Sequence, residues 1–146
     1  MRNARGTGAS PVLAGNQLII VNDNEEESWV VAFDKLTGRE LWKTKRDEPS
    51  NWATPFVWKH DGGKELVLSG RRRTRSYDLS GKELGSFQRK KKESIGIPTA
   101  FEAHGLLVVA SGYVGDREKH VDASRPGAKG ESSIHTGEDS NKVVAR

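Results

Sequence analysis

The chain has no cysteine. Disulfides, thiolate metal sites and a Cys nucleophile are excluded, although the redox compartment stays open. Long apolar runs are also missing. The longest, "LIIV" at residues 18–21 and "LLVVA" at 106–110, have the length of strands. Neither approaches the roughly 20 residues that cross a bilayer as a helix. The opening "MRNARGTGAS" has no apolar h-region, so no signal peptide is expected in this chain. Apolar residues reach only 34% of 146, so a core requires well-patterned apolar positions. Helix-period apolar spacing is absent, while Gly occurs 16 times and Met once. That mix suits short strands joined by tight turns.

What is present is a repeat. "VVAFDKLTGRELW" at 30–42 returns as "TRSYDLSGKELGSF" at 74–87. Asp34 and Asp78 stand 44 apart, Gly38 and Gly81 stand 43 apart, and Pro11, Pro55 and Pro98 are spaced 44 and 43. Each proline is followed by a short apolar stretch (12–14, 56–58 and 100–103), a turn, and a more apolar stretch (18–21, 66–68 and 106–110). A near-continuous apolar run of that length predicts a strand covered on both faces. A third strand is predicted at 29–34 and 75–79, and a fourth after the Gly, at "RELW" and "KEL".

The repeated phrase itself reads as a hairpin connection. Asp34 and Asp78 accept backbone N–H bonds at the start of the turn, and Gly38 and Gly81 supply the positive φ at its exit. Four short antiparallel strands in about 40–45 residues make one propeller blade. The fold class is therefore all-β, a partial β-propeller of about three four-stranded antiparallel blades. Its units run over about 8–44, 52–88 and 95–126, followed by a polar tail at 127–146, in a single partial propeller spanning 1–146. A β-sandwich is the competing architecture.

The phrase "AFDKLTGRELW" at 32–42 resembles the A-x-D-x-x-T-G-x-x-x-W repeat of the pyrroloquinoline-quinone-like, or quinoprotein alcohol dehydrogenase-like, β-propellers. The similarity covers about residues 8–126. The resemblance implies a bacterial repeat protein, and for a full-length parent a periplasmic or cell-envelope location. It also implies that Trp42 packs between neighbouring blades. The second unit departs from the motif, with Gly85 at the Trp position, and Leu84 and Phe87 are the candidate substitutes. The third, "HVDASRPGAKGE" at 120–131, lacks the D-x-x-T-G turn. Because a closed propeller needs at least four blades, the expectation is a fragment of a longer one.

Candidate chemistry is sparse. Trp29, Trp52 and Trp58 could floor a flat ligand, but blade packing explains them better. "NDNEEES" at 22–28 is oxygen-rich, yet it lacks the glycine and the ligand spacing of a Ca²⁺ loop and reads as a solvated hairpin loop. His60, His104, His120 and His135 are far apart in sequence and read as turn or surface residues. No catalytic, cofactor or metal residue is assigned. Pyrroloquinoline quinone and Ca²⁺ enter only through the resemblance.

Charge supplies the rival signal. Residues 71–92 hold nine Lys/Arg against two Asp/Glu, so this window carries +7 within a chain of net +4. Arg71, Arg72, Arg73, Arg75, Arg89, Lys90, Lys91 and Lys92 are the candidate contacts for an anionic partner. Only Tyr77 and Phe87 interleave with them, and no nucleic-acid module is recognisable, so a solvated basic face is the plainer reading. The sequence thus predicts a non-catalytic binding or scaffolding module. Its partner is a protein or the remaining blades, and self-association through open blade edges is a further expectation. The alternatives are a remnant of a quinone-dependent dehydrogenase and a basic-patch binder of nucleic acid or an anionic surface.

Overall fold

In the computed structural model, residues 8–88, 95–112, 120–124 and 130–131 are described. Strands β1 (Val12–Ala14), β2 (Gln17–Asn22), β3 (Ser28–Asp34) and β4 (Glu40–Arg46) form the first sheet, in chain order. Strands β5 (Phe56–His60), β6 (Gly63–Ser69), β7 (Arg73–Tyr77) and β8 (Glu83–Gln88) form the second, also in order. The third contains β9 (Phe101–Ala103), β10 (Leu106–Ser111) and β11 (His120–Ser124). All pairings within these meanders are antiparallel. The first strands stand side by side, β1 against β5 and β5 against β9, which sets the sheets as consecutive blades. The fold is all-β, a partial propeller.

Two details differ from the expected four strands per unit. The third sheet has three strands among the described residues. The second has a fifth, β12 (Gly130–Glu131), which pairs in parallel with Phe87 and Gln88 of β8. These two residues fall in the stretch read as a polar tail. They cover part of the hydrogen-bonding edge that an outermost strand otherwise leaves open.

The repeat recurs in backbone detail. Both β3–β4 and β7–β8 shift register just before the aspartate, between Ala32 and Phe33 and between Ser76 and Tyr77. Ala32 pairs with Trp42 and Phe33 with Glu40, so Leu41 is the bulged residue; Leu84 is bulged in the same way. A bulge leaves one residue outside the ladder, and Leu41 and Leu84 are exposed. The bulge therefore sends Trp42 to the face that packs on the second sheet.

Alternation along the central strands divides the core in two. Ala14, Ile19, Val21, Val30 and Ala32 meet Leu66, Leu68 and Tyr77 between the first and second sheets. Trp58, Val67 and Phe87 meet Ala100, Leu107 and Val109 between the second and third. Leu66 and Leu68 thus point one way and Val67 the other, which explains why "LVL" contains no polar residue.

Candidate functional site

The seam between the first two sheets is built on the repeated turn. Asp34 Oδ1 accepts from the backbone N–H of Leu36 (3.0 Å) and Thr37 (2.9 Å) and from the Thr37 hydroxyl. Asp78 Oδ1 accepts from the Ser80 and Lys82 N–H groups and the Ser80 hydroxyl. The Ser80 hydroxyl first, and then the backbone amides, hold the Asp78 carboxyl below the ordinary carboxylate value. Asp34 is lowered in the same way, chiefly by Thr37.

Trp42 joins this turn to the neighbouring sheet. Its indole N–H donates to the Leu79 carbonyl (2.9 Å) and to Gln17 Oε1 (3.1 Å), while Gln17 Nε2 also donates to Leu79 O. The Thr44 hydroxyl donates to Gly81 O at 2.8 Å. A Cβ added to Gly81, whose φ is +87°, would stand 2.5 Å from the Trp42 ring. Gly81 therefore supplies a backbone conformation and a vacancy together. The second seam has no indole at the corresponding place. Phe87, two residues past Gly85 and on the same face, is 6% exposed and packs in the core of that seam, while Leu84 lies at the bulge.

A buried charge network closes the other end of the first seam. Arg46 donates to both Asp23 oxygens (2.7 and 3.0 Å) and to the Tyr77 hydroxyl (3.0 Å). Burial opposes the Arg46 charge, but the Asp23 carboxylate outweighs it and holds the guanidinium firmly protonated. Burial raises the Tyr77 phenol. Glu48, 1% exposed, accepts from the backbone N–H of Arg72 (2.7 Å) and Arg73 (3.1 Å) and from the Arg75 guanidinium. Arg75 also pairs with Asp47. Gly70 abuts the Glu48 carboxyl, where a Cβ would collide. The link from β4 to β5 is thereby locked onto the β6–β7 loop.

Several expectations change here. Arg75, a candidate contact for an anionic partner, is 5% exposed and held by Asp47 and Glu48. Its alternation places it toward the first sheet. Arg72 and Arg73 are exposed and Arg71 is half-buried; Arg72 Nη1 donates to Asp47 O. Arg89, Lys90, Lys91 and Lys92 lie outside the described residues, as does His135. In "NDNEEES" the loop is not uniformly solvated, since Asp23 is 4% exposed. Glu25 reaches the Ser50 N–H and hydroxyl. Asn51, which the sequence did not single out, bridges seams by donating to Ser69 O and accepting from Gly96 N–H.

The tryptophans do not converge. Trp29 is half-buried on the first sheet's outer side, with Lys43 Nζ 4.9 Å from its ring centroid. Trp52 packs on Gly8, and Trp58 is buried in the second seam. Between the second and third sheets a cavity of about 700 Å³ is lined by Trp58, His60, Asp61, Glu65, Glu102 and Gly105. His60 Nε2 lies 3.1 Å from Glu65 Oε1, and Glu102 accepts from Gly105 N–H. No group of three or more His, Asp or Glu is poised to hold a metal among the described residues.

Comparison with known proteins agrees at the level of fold. The backbone is similar to a europium-containing methanol dehydrogenase (14% identity, TM-score 0.62, 88% of this chain and 24% of that one). It is similar to the quinohemoprotein alcohol dehydrogenase of Pseudomonas putida HK5 (19% identity, TM-score 0.65, 88% and 20%). It is also similar to BamB from Moraxella catarrhalis (16% identity, TM-score 0.62, 92% and 39%). The chain therefore spans well under half the length of these structures. No family model and no curated protein matches its sequence. The structural likenesses show a β-propeller fold.

Two outcomes follow from the seam. Arg46→Met strands Asp23 as an unpaired buried acid and is expected to lower unfolding free energy by about 3–5 kcal/mol. Asp23→Leu combined with Arg46→Met is expected to recover most of that loss in urea titrations. Asp78 contributes stability above its unfolded pKa of about 4, and this is lost as pH falls through the lower native value. The stability gap between wild type and Asp78→Asn is thus expected to narrow between pH 6 and acid, measured by urea unfolding at each pH.

Proposed function

We propose that this chain is a non-catalytic propeller module that works by docking, as a binding or scaffolding element. Its partner is a protein or the remaining blades of a longer propeller. The observation that carries the reading is the use made of its polar residues. The buried Asp23, Arg46, Glu48 and Arg75 are committed to holding the first two sheets together. Trp42, Asp78 and Gly81 act in blade docking and turn formation, and Asp34 and Gly38 form the corresponding turn of the first blade.

The likeness to dehydrogenases keeps a catalytic remnant as the alternative, and the likeness to BamB shows that the fold is not confined to them. A basic-patch binder has weaker support, because Arg75 and Arg72 are engaged by Asp47 and Glu48. An envelope location for a longer parent protein follows from the resemblance. No helix among the described residues is long and apolar enough to cross a membrane.

The test is direct. The purified chain is mixed with pyrroloquinoline quinone and Ca²⁺, and dye-linked alcohol oxidation is followed along with the absorbance of protein-bound quinone. The expected result is no turnover and no bound chromophore. Sustained quinone-dependent oxidation would overturn the reading.

A further inference from the structure

The repeat allows each face of each sheet to be compared with its counterpart. Strand pairing places Leu13, Leu18, Ile20 and Phe33 on the positions of Val57, Leu66, Leu68 and Tyr77, because Leu13 faces Leu18 and Leu18 faces Phe33 just as Val57 faces Leu66 and Leu66 faces Tyr77. The second set turns toward the first sheet, where Leu66, Leu68 and Tyr77 are 0–2% exposed. The first set turns away from the second sheet. Leu13 is 61% exposed, and Leu18, Ile20 and Phe33 are only half-buried.

The turn beside that face tells the same story. Gly38 has φ +72°, as its counterpart Gly81 has φ +87°. Around Gly81 the space belongs to Trp42, whereas a Cβ at Gly38 would meet nothing within 4 Å among the described residues. Leu36, in the same turn, is 81% exposed. Val31 is buried at the middle of this face, while Leu13 and Leu36 around it are exposed, and no sheet among the described residues packs on them.

The matching half lies at the far end. Aligning Pro98 with Pro55 places Phe101 at the position of Trp58. Trp58 is 2% exposed because the third sheet covers it, and Phe101 is 51% exposed. The third sheet therefore turns outward the kind of face that the second sheet docks, and the first turns outward the kind of face that receives it. The two open faces correspond in position to the two sides by which the chain's own sheets meet.

We propose that two copies of this chain associate head to tail, the Phe101 face of one seating on the Leu13–Gly38 face of the other. A second copy is the partner that brings both halves in matching chemistry. The contact is heterologous and can close on itself. Two copies supply about six blades, within the range of about four to eight that a propeller ring accommodates. The proposal rests on the docking reading above and deepens it.

Light scattering during size-exclusion chromatography tests it on the full chain. Wild type is expected at the mass of two chains, and Leu13→Glu and Phe101→Glu each at the mass of one. Each variant keeps one good face, so their equimolar mixture is expected to recover a two-chain species. Both residues are exposed, and far-UV circular dichroism checks that each variant folds; Leu36→Glu gives a second lesion in the same seat. A one-chain mass for wild type, a two-chain mass for the single variants alone, or a mixture that stays at one chain would each overturn the proposal. A one-chain wild type without alcohol oxidation removes the second copy and leaves the docking reading standing. Quinone-dependent turnover would strike that reading whatever the mass.

Discussion

Trp42 and Gly81 cannot be chosen independently. The indole occupies the space where any other residue would carry a Cβ, and its N–H bonds the carbonyl two residues before that glycine. The turn must therefore be bent by Asp78 and Ser80, passed through a left-handed glycine, and delivered at the right height, all before the neighbouring sheet can close. One local motif fixes both the end of a hairpin and the relation between two sheets. The bulge at Leu41 belongs to the same device, because it aims Trp42 at the seam.

The buried charges do a different task. A bidentate Asp23–Arg46 pair and a Glu48 enclosed by Arg75 and two backbone N–H groups add little net stability over apolar residues of similar shape, because desolvation offsets most of the attraction. What they impose is register. Apolar faces such as Ile19 against Leu66 tolerate sliding, but Arg46 must meet Asp23 on its own sheet and Tyr77 on the next. The connection from β4 to β5 is pinned by the same logic through Glu48 and Gly70.

Much of the fold was legible because its signals are local. The prolines, the Asp-to-Gly turns and the period-two strands lie within a few residues of one another, so spacing alone placed β1 to β10 closely. The motif singled out Trp42, but its bonds to Leu79 and Gln17 cross to distant residues and leave no local signal. The charge network was not legible. Asp23 and Arg46 are 23 residues apart, and nothing in "NDNEEES" distinguishes the buried acid from the exposed ones beside it. A run of arginines does not reveal which of them is buried, and only tertiary structure places Glu48 against Arg75. The parallel pairing of Gly130–Glu131 with β8 has no sequence signature at all.

The most direct measurement compares Gly81→Ala with Gly38→Ala by denaturant unfolding, at concentrations that keep the chain monomeric. Both substitutions carry the left-handed backbone penalty of about 1–2 kcal/mol. Only Gly81→Ala also drives a methyl group into Trp42, so the account expects it to cost about 1–3 kcal/mol more. Equal losses for the two variants would contradict the claim that this glycine holds the blades together.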